Sequence, residues 1–192
     1  CELAEPLKLK FLAYMLASKD IDHKLALSLR NAGFKGVVIG VETFSDRLRK
    51  AMNKKGSKED VNSTLTALAK AGIHVKVNIL CGFPTETEED VSETISMIRE
   101  WNLRELKEYL HWDAGHPVRV EPYSELYRNP KKFGITIKPY TIPLPEELSH
   151  LRKPLEKITS RWDAGIPLEE VENRSRRIRE AAYGSEGSWR QG

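Results

Sequence analysis

A strand that breaks into a Gly/Pro turn and then into an acidic helix is the strongest constraint on the fold. Residues 74–87 read HVKVNILCGFPTET. The apolar part ends at Gly82 and Pro84, and a helix rich in carboxylates begins near Thr87. Barrels and open α/β sheets bind ligands where parallel strands end and helices begin, so we expect a site at this turn.

Strand and helix patterns alternate on both sides of this stretch. Apolar runs predict strands over residues 7–15, 36–41, 74–80 and 116–121. The helices between them start at residue types that cap helix N-termini, namely Asp20 or Asp22, Ser45, Ser57 and Thr87. This order predicts right-handed βαβ units around a parallel sheet.

The pattern changes after Gly134. Three prolines at 139, 143 and 145 predict a stiff connection, followed by charged helices over residues 146–162 and 168–183. The basic run 173–179 is mixed with glutamates, which is typical of a solvated face or a partner surface. The tail, residues 184–192, is predicted to be disordered. The tetrapeptide WDAG, at 112–115 and 162–165, is interpreted as a helix end that occurs twice by coincidence.

Composition excludes several classes of protein. The 192 residues are 40% hydrophobic and 31% charged, without an apolar run of membrane-spanning length, so we expect one soluble domain. The net charge of +3 is too small to indicate a nucleic-acid or membrane partner. Cys1 and Cys81 form no disulfide framework, which favours the cytoplasm. The first residue is Cys rather than Met, which suggests a fragment or a processed product.

Glu42 is an ionisable residue at the end of an otherwise apolar strand. At the mouth of a parallel barrel, such a carboxylate can accept hydrogen bonds from two ribose hydroxyls or hold an ammonium group. The structural alternative is that Glu42 caps the helix that starts at Ser45, or pairs with Arg47. The spacing alone leaves both interpretations open.

The residues around the Gly/Pro turn allow similar alternatives. Gly82 allows a backbone to approach a flat ligand, Pro84 fixes the turn, and Glu86 lies in the turn itself. Residues 88–90 read EED and are expected to be a solvated first turn that occupies the helix N-terminus, which argues against a bound phosphate. Cys81 is expected to be a small buried hydrophobe.

Other polar residues give weaker signals. The Lys50, Lys54 and Lys55 cluster could hold a ligand carboxylate, although a solvated helix end is the commoner arrangement. The five histidines show no zinc-site spacing, and no metal is predicted from them.

Several motifs in register resemble the second half of the radical S-adenosylmethionine (radical SAM) core. They are GVET at 40–43, MNK at 52–54, AGI at 71–73 and GFPTET at 82–87. The following segment, VRVEPYSELYRNPKKFGI, is similar to the next barrel strand of members that also carry a cobalamin-binding domain. The resemblance therefore covers residues 8–135.

This resemblance implies a partial (β/α)6 TIM-like barrel over residues 1–138, comprising about the third to sixth strands, and a helical extension over residues 139–183. It implies S-adenosylmethionine, a four-iron four-sulfur cluster and deoxyadenosyl-radical chemistry, with cobalamin as a further candidate cofactor. The residues that match cosubstrate-contacting positions of the family lie at strand ends and turns: Glu42, Thr43, Lys54, Leu80, Gly82, Pro84, Glu86, Val120, Pro122 and Ser124.

The chain departs from the family at the cluster. Three cysteines at C-x3-C-x2-C bind the cluster in the family, and this sequence contains no such motif. We therefore expect the C-terminal part of a longer radical SAM enzyme, partnered by an N-terminal half of the same polypeptide. Alone, it should leave a strand edge unpaired and lack catalysis.

Two other interpretations stay open at this point. One is a non-catalytic half-barrel that binds a nucleotide or a partner protein. The other is RNA binding by the helical tail, which the glutamates within the basic run disfavour. The sequence identifies no substrate or reaction.

Overall fold

The computed structural model describes residues 5–139, 144–151, 160–163 and 166–184. Its centre is a parallel sheet of four strands, in the order β1-β2-β3-β4. The strands are β1 (Phe11–Met15), β2 (Phe34–Glu42), β3 (His74–Cys81) and β4 (Leu110–Pro117). A separate antiparallel pair is formed by β5 (Thr136–Pro139) and β6 (Ser160–Asp163).

Helices connect the parallel strands. The connecting helices are α1 (His23–Asn31), α2 (Asp46–Ala51), α3 (Lys58–Lys70) and α4 (Glu88–Leu103). After the last parallel strand come α5 (Glu125–Arg128) and α6 (Leu168–Tyr183). Short 3-10 helices cover Glu5–Leu7, Glu105–Tyr109, Pro130–Phe133 and Glu146–Leu151. Each βαβ unit gives the alternating pattern that the sequence predicts, and the α/β fold class is confirmed.

Four helices begin at N-cap residues that the sequence predicts. The side chains of Asp22, Ser45, Ser57 and Thr87 each accept a hydrogen bond from a backbone N–H in the first turn of their helix. Ser57 and Thr87 also form reciprocal capping boxes, with Asp60 and Asp90 as their partners. These caps fix where α1, α2, α3 and α4 begin.

One face of the sheet is covered by α3 and α4. Val77 and Ile79 of β3 are completely buried in the same cluster as Leu65 of α3 and Ile98 of α4. On the opposite face, Tyr14 of β1 is 86% exposed. We call this second surface the open face of the sheet. In the part of the chain that is described, β1 has only β2 as a strand neighbour, so its other edge is unpaired.

The β4 edge of the sheet is covered by α6. The Tyr183 hydroxyl donates to the Trp112 carbonyl at 3.0 Å and accepts from the Ala114 amide at 3.2 Å. The Ser175 hydroxyl donates to the Gly115 carbonyl at 2.6 Å. The edge of β4 therefore has side-chain hydrogen bonds in place of another strand.

Several sequence predictions need correction. The predicted strand over 116–121 is β4 at Leu110–Pro117, so the first WDAG lies inside a strand and does not end a helix. The predicted helix over 146–162 is a 3-10 turn at Glu146–Leu151 and a strand at Ser160–Asp163. The predicted disordered tail lies outside the described residues except for Gly184, and Cys1 also lies outside them.

Among the described residues, no helix combines the length and the apolar character that crossing a membrane requires.

Candidate functional site

A cavity of about 790 Å³ opens at the carboxyl ends of β2 and β3. Glu42 and Leu80 contribute from the strand ends, Lys54 from the segment after α2, and Ser124 from the start of α5. These four residues were predicted from the sequence as cosubstrate contacts, and the structure brings them together. The carboxyl end of a parallel sheet is where enzymes of this architecture bind ligands.

Glu42 and Lys54 form an ion pair at the cavity wall. The Lys54 Nζ lies 2.9 Å from the Glu42 Oε1 and also donates to the Gly40 carbonyl at 3.2 Å. A Cβ at Gly40 would lie 2.5 Å from the Glu42 Oε1, so a side chain there would displace the carboxylate from its position over the strand. The two structural alternatives predicted for Glu42 are wrong, because Arg47 pairs with Asp90 and Ser45 caps its own helix.

The backbone around the cavity is strained. Glu42 has φ +67° at a bulge in the pairing of β2 and β3, and Asn53 has φ +56°. Tyr123, directly before the cavity residue Ser124, has φ +70°. Non-glycine residues rarely adopt this conformation, and such strain concentrates at ligand-binding sites.

Aromatic and cationic side chains also line the cavity. Phe83 and Phe133 contact each other edge to face, with ring centroids 5.9 Å apart. Lys50, Arg119 and Lys132 also line this space. Sequence reasoning identified Lys50 but missed Phe83, Arg119 and the segment 130–133. These residues are close only because the chain after β4 folds back over α2, and no local pattern indicates that contact.

The turn between β3 and α4 is closed by Glu86. Its carboxylate accepts from the Gly82 amide at 2.8 Å, and its own amide donates to the Phe83 carbonyl at 2.7 Å. This agrees with the turn-holding role that the family resemblance implies for Glu86. Burial raises the pKa of Glu86, against the Gly82 N–H and the Arg174 guanidinium, which both favour its ionised form.

Gly82 makes room for a helix. At φ +74°, a Cβ on Gly82 would lie 2.8 Å from a methyl group of Val171 in α6. The close approach predicted for a flat ligand is therefore an approach by α6. Pro84 is buried in the same turn and is not among the cavity-lining residues.

Three more predicted residues lie behind the cavity. Thr43 is buried with its hydroxyl 3.0 Å from that of Thr94, so it ties β2 to α4. Val120 is buried in a second apolar cluster with Phe83. Pro122 is partly exposed and does not line the cavity.

The helix start after the turn is less solvated than predicted. Asp90 is buried, pairs with Arg47 and accepts from the Ser45 hydroxyl at 2.5 Å. Although burial acts to raise it, the pKa of Asp90 is lowered by hydrogen bonds from Arg47, Ser45 and Thr87. Only Glu88 and Glu89 match the solvated first turn, and Glu88 pairs with Arg177.

Cys81 does not fit the role of an iron ligand. It is completely buried, as predicted, and burial raises the pKa of its thiol to about 12. Iron–sulfur clusters need accessible thiolates. Within the described residues, His, Cys, Asp and Glu side chains form no group of three that could hold a metal ion.

Comparison with known families agrees with this geometry. The model of the Radical SAM superfamily matches residues 8–98, which run from the start of the sheet into α4. This part of the chain is a radical SAM segment. Proteins of this family use S-adenosylmethionine and a four-iron four-sulfur cluster. The match assigns no role to any single residue, and it ends before Val120, Pro122 and Ser124, so the cosubstrate contacts all remain predictions.

Curated relatives of the chain include three kinds of enzyme, and two of them illustrate how much of each chain matches. A tRNA-2-methylthio-N(6)-dimethylallyladenosine synthase of Azobacteroides pseudotrichonymphae is 31% identical over 68 residues, which are 34% of this chain and 15% of the relative. An anaerobic magnesium-protoporphyrin IX monomethyl ester cyclase of Rubrivivax gelatinosus is 28% identical over 107 residues, covering 56% of this chain and 18% of the relative. The chain thus spans less than a fifth of either relative.

A solved structure shares the fold. The radical S-adenosylmethionine methyltransferase TsrM of Kitasatospora setae, with cobalamin and a four-iron four-sulfur cluster bound, superposes with a TM-score of 0.51. The likeness covers 70% of this chain and 27% of TsrM at 19% identity. The radical SAM segment and the strand that follows it therefore have the radical SAM TIM-like architecture.

Proposed function

We propose that this chain supplies the adenosine and methionine side of an S-adenosylmethionine pocket in a radical SAM enzyme. The observation that carries the proposal is the Glu42–Lys54 ion pair, which lies over Gly40 at the mouth of the cavity. S-adenosylmethionine presents a ribose diol and a carboxylate. A carboxylate and an ammonium are the complementary groups.

Binding would exchange partners within this pair. The Glu42 carboxylate would accept from the ribose hydroxyls, and Lys54 would donate to the ligand carboxylate. The two side chains are only 16% and 30% exposed, so the ligand groups must replace the contacts that the pair gives up. The positive φ angles of Glu42 and of Asn53, which directly precedes Lys54, fix the backbone from which the two charged side chains project toward the ligand.

The iron–sulfur cluster needs ligands other than those described. Cys81 is buried and protonated at neutral pH, since its thiol pKa is about 12. When present, the cluster and S-adenosylmethionine supply radical chemistry to this family. We propose that further residues of a longer polypeptide contribute the cluster and cover the open face of the sheet beside β1, where Leu12 is 75% exposed. Catalysis by this chain alone is not expected.

Cobalamin stays a prediction from the sequence, because 19% identity to a cobalamin-bound structure establishes the fold only. The non-catalytic half-barrel also stays an alternative. It predicts that adenosine and S-adenosylmethionine bind equally well, because Lys54 would then have no ligand carboxylate to hold.

The test is a ligand-observed NMR titration of the chain with S-adenosylmethionine. We expect weak binding by the wild type, and about a tenfold loss of affinity for Glu42→Gln and for Lys54→Met. Lys55→Met is the matched control, because Lys55 is exposed and lies outside the cavity lining. Equal affinity for the wild type, Lys54→Met and Lys55→Met would refute the proposed pocket.

A further inference from the structure

The turn after β3 forms one wall of the cavity, and two arginines hold it from opposite sides. Phe83 and Thr85 of this turn line the cavity. Arg47 of α2 donates to the Thr85 carbonyl at 2.6 Å. Arg174 of α6 donates to the next carbonyl, that of Glu86, at 3.1 Å. Two successive carbonyl groups are thus fixed by side chains from distant parts of the chain.

Arg174 differs from Arg47 in its burial. Its side chain is 10% exposed, against 51% for Arg47. The same guanidinium lies 3.2 Å from the Glu86 Oε2, the oxygen that accepts from the Gly82 amide. Its Nε donates to Glu170 at 2.8 Å. A buried charge with three partners in one geometry leaves the turn little freedom to move.

The rest of α6 is anchored without Arg174. Ser175 and Tyr183 bind the edge of β4, and the Asn102 amide of α4 donates to the Ala181 carbonyl at 2.9 Å. Ile178 is 1% exposed within the main core. Loss of the Arg174 side chain should therefore leave the helix docked, which separates its effect on the turn from a general loss of folding.

We propose that Arg174 is a positioning residue of the cosubstrate pocket, which sets the geometry of the Gly82–Glu86 turn through the Glu86 carboxylate and carbonyl. This inference rests on the proposed function and adds to it a C-terminal helix beyond the segment that matches the family. Arg174 does not touch the cavity, so it acts on the ligand only through the turn.

The experiment compares Arg174→Gln with Arg176→Gln in the full chain. Arg176 lies on the same helix, is 64% exposed and pairs only with residues of α6 among the bonds described, so it is a matched control. Amide hydrogen exchange at Gly82 reports the turn directly. We expect at least tenfold faster exchange and several-fold weaker S-adenosylmethionine binding in Arg174→Gln, with neither change in Arg176→Gln.

Arg174→Lys is a conservative second variant, which separates an effect on the turn from misfolding of the chain. It keeps the positive charge beside Glu86 but replaces the two nitrogen atoms that reach Glu170 and Glu86 separately by a single ammonium, so we expect intermediate exchange and affinity. Wild-type exchange at Gly82 in Arg174→Gln would overturn the inference, as would faster exchange with unchanged affinity. Failure of the proposed pocket has a different signature: Glu42→Gln would bind like the wild type, whatever the exchange at Gly82.

Discussion

The two faces of the parallel sheet differ in burial and, along β3, in polarity, although the same strands build both. On the helix-covered face, Val77 and Ile79 are fully buried. On the open face, the alternate residues His74, Lys76 and Asn78 of β3 are polar, and Lys76 lies 2.7 Å from Asp113 of β4. The covered face therefore stabilises the fold, whereas the open face and its carboxyl end remain available for ligands and for further chain. Stability and function are divided between alternate residues of one strand.

The largest expected effect lies on the covered face. Ile79→Ala should lower the free energy of unfolding by about 3–4 kcal/mol, because it leaves a cavity among packed aliphatic side chains. Tyr14→Ala on the open face is the control and should change it by less than about 0.5 kcal/mol. Urea unfolding followed by circular dichroism measures both. Similar losses for the two variants would show that the open face is packed as well.

Two adjacent residues of α2 sharpen the same comparison. The buried guanidinium of Arg49 donates to the carbonyls of Val41, Thr43, Lys55 and Gly56. Arg49→Met should lower the free energy of unfolding by about 2–3 kcal/mol, since these carbonyls lose their donor. Lys50 lines the cavity, and Lys50→Met should lower the free energy of unfolding by less than about 0.5 kcal/mol. Thermal unfolding of the two variants measures both losses. A larger loss of stability in Lys50→Met than in Arg49→Met would contradict the assignment of Arg49 to the core.

The smallest expected effect lies at the start of α4 and depends on pH. Although burial acts to raise it, the pKa of Asp90 lies below the ordinary value of 3.8, because hydrogen bonds from Arg47, Ser45 and Thr87 stabilise the ionised carboxylate. Its contribution to stability is therefore present above pH 3.8 and is lost as the pH falls through the lower folded pKa.

Asp90→Asn should consequently be less stable than the wild type by about 1–2 kcal/mol at pH 7, and the gap should narrow below pH 4. Denaturant titrations at several pH values measure this gap. Glu59→Gln is the control, as Glu59 is exposed in the first turn of α3. A gap that stays constant down to pH 2 would contradict the ion pair with Arg47.

Much of the fold follows from local signals in the sequence. Helix starts at Ser45, Ser57 and Thr87 are readable because capping depends on residues within one turn. The strand β2 is readable as a buried apolar run, and Val37, Ile39 and Val41 are each 1% exposed. Glu42 is recognisable as a polar residue at a strand end because a parallel sheet brings such ends together, whereas Lys54 and Leu80 were predicted from the family resemblance.

The rest depends on contacts between distant segments. The helical pattern of α6 was predicted, but Arg174 looked like part of a solvated basic run and is a buried partner of Glu86. Strand β4 was misplaced because Trp112 and Asp113 carry no continuous apolar run, and its edge is satisfied by Tyr183. No local pattern contains such pairings.

The central claim is that S-adenosylmethionine binds at the carboxyl ends of β2 and β3. Backbone amide chemical shifts of the isotope-labelled chain, recorded while S-adenosylmethionine is added, test it most directly. We predict saturable shifts at Glu42, Lys54 and residues 80–86, with none at exposed Tyr14. Saturable shifts confined to the open face of β1 and β2 away from Glu42, or no shifts at millimolar ligand, would contradict the proposed pocket.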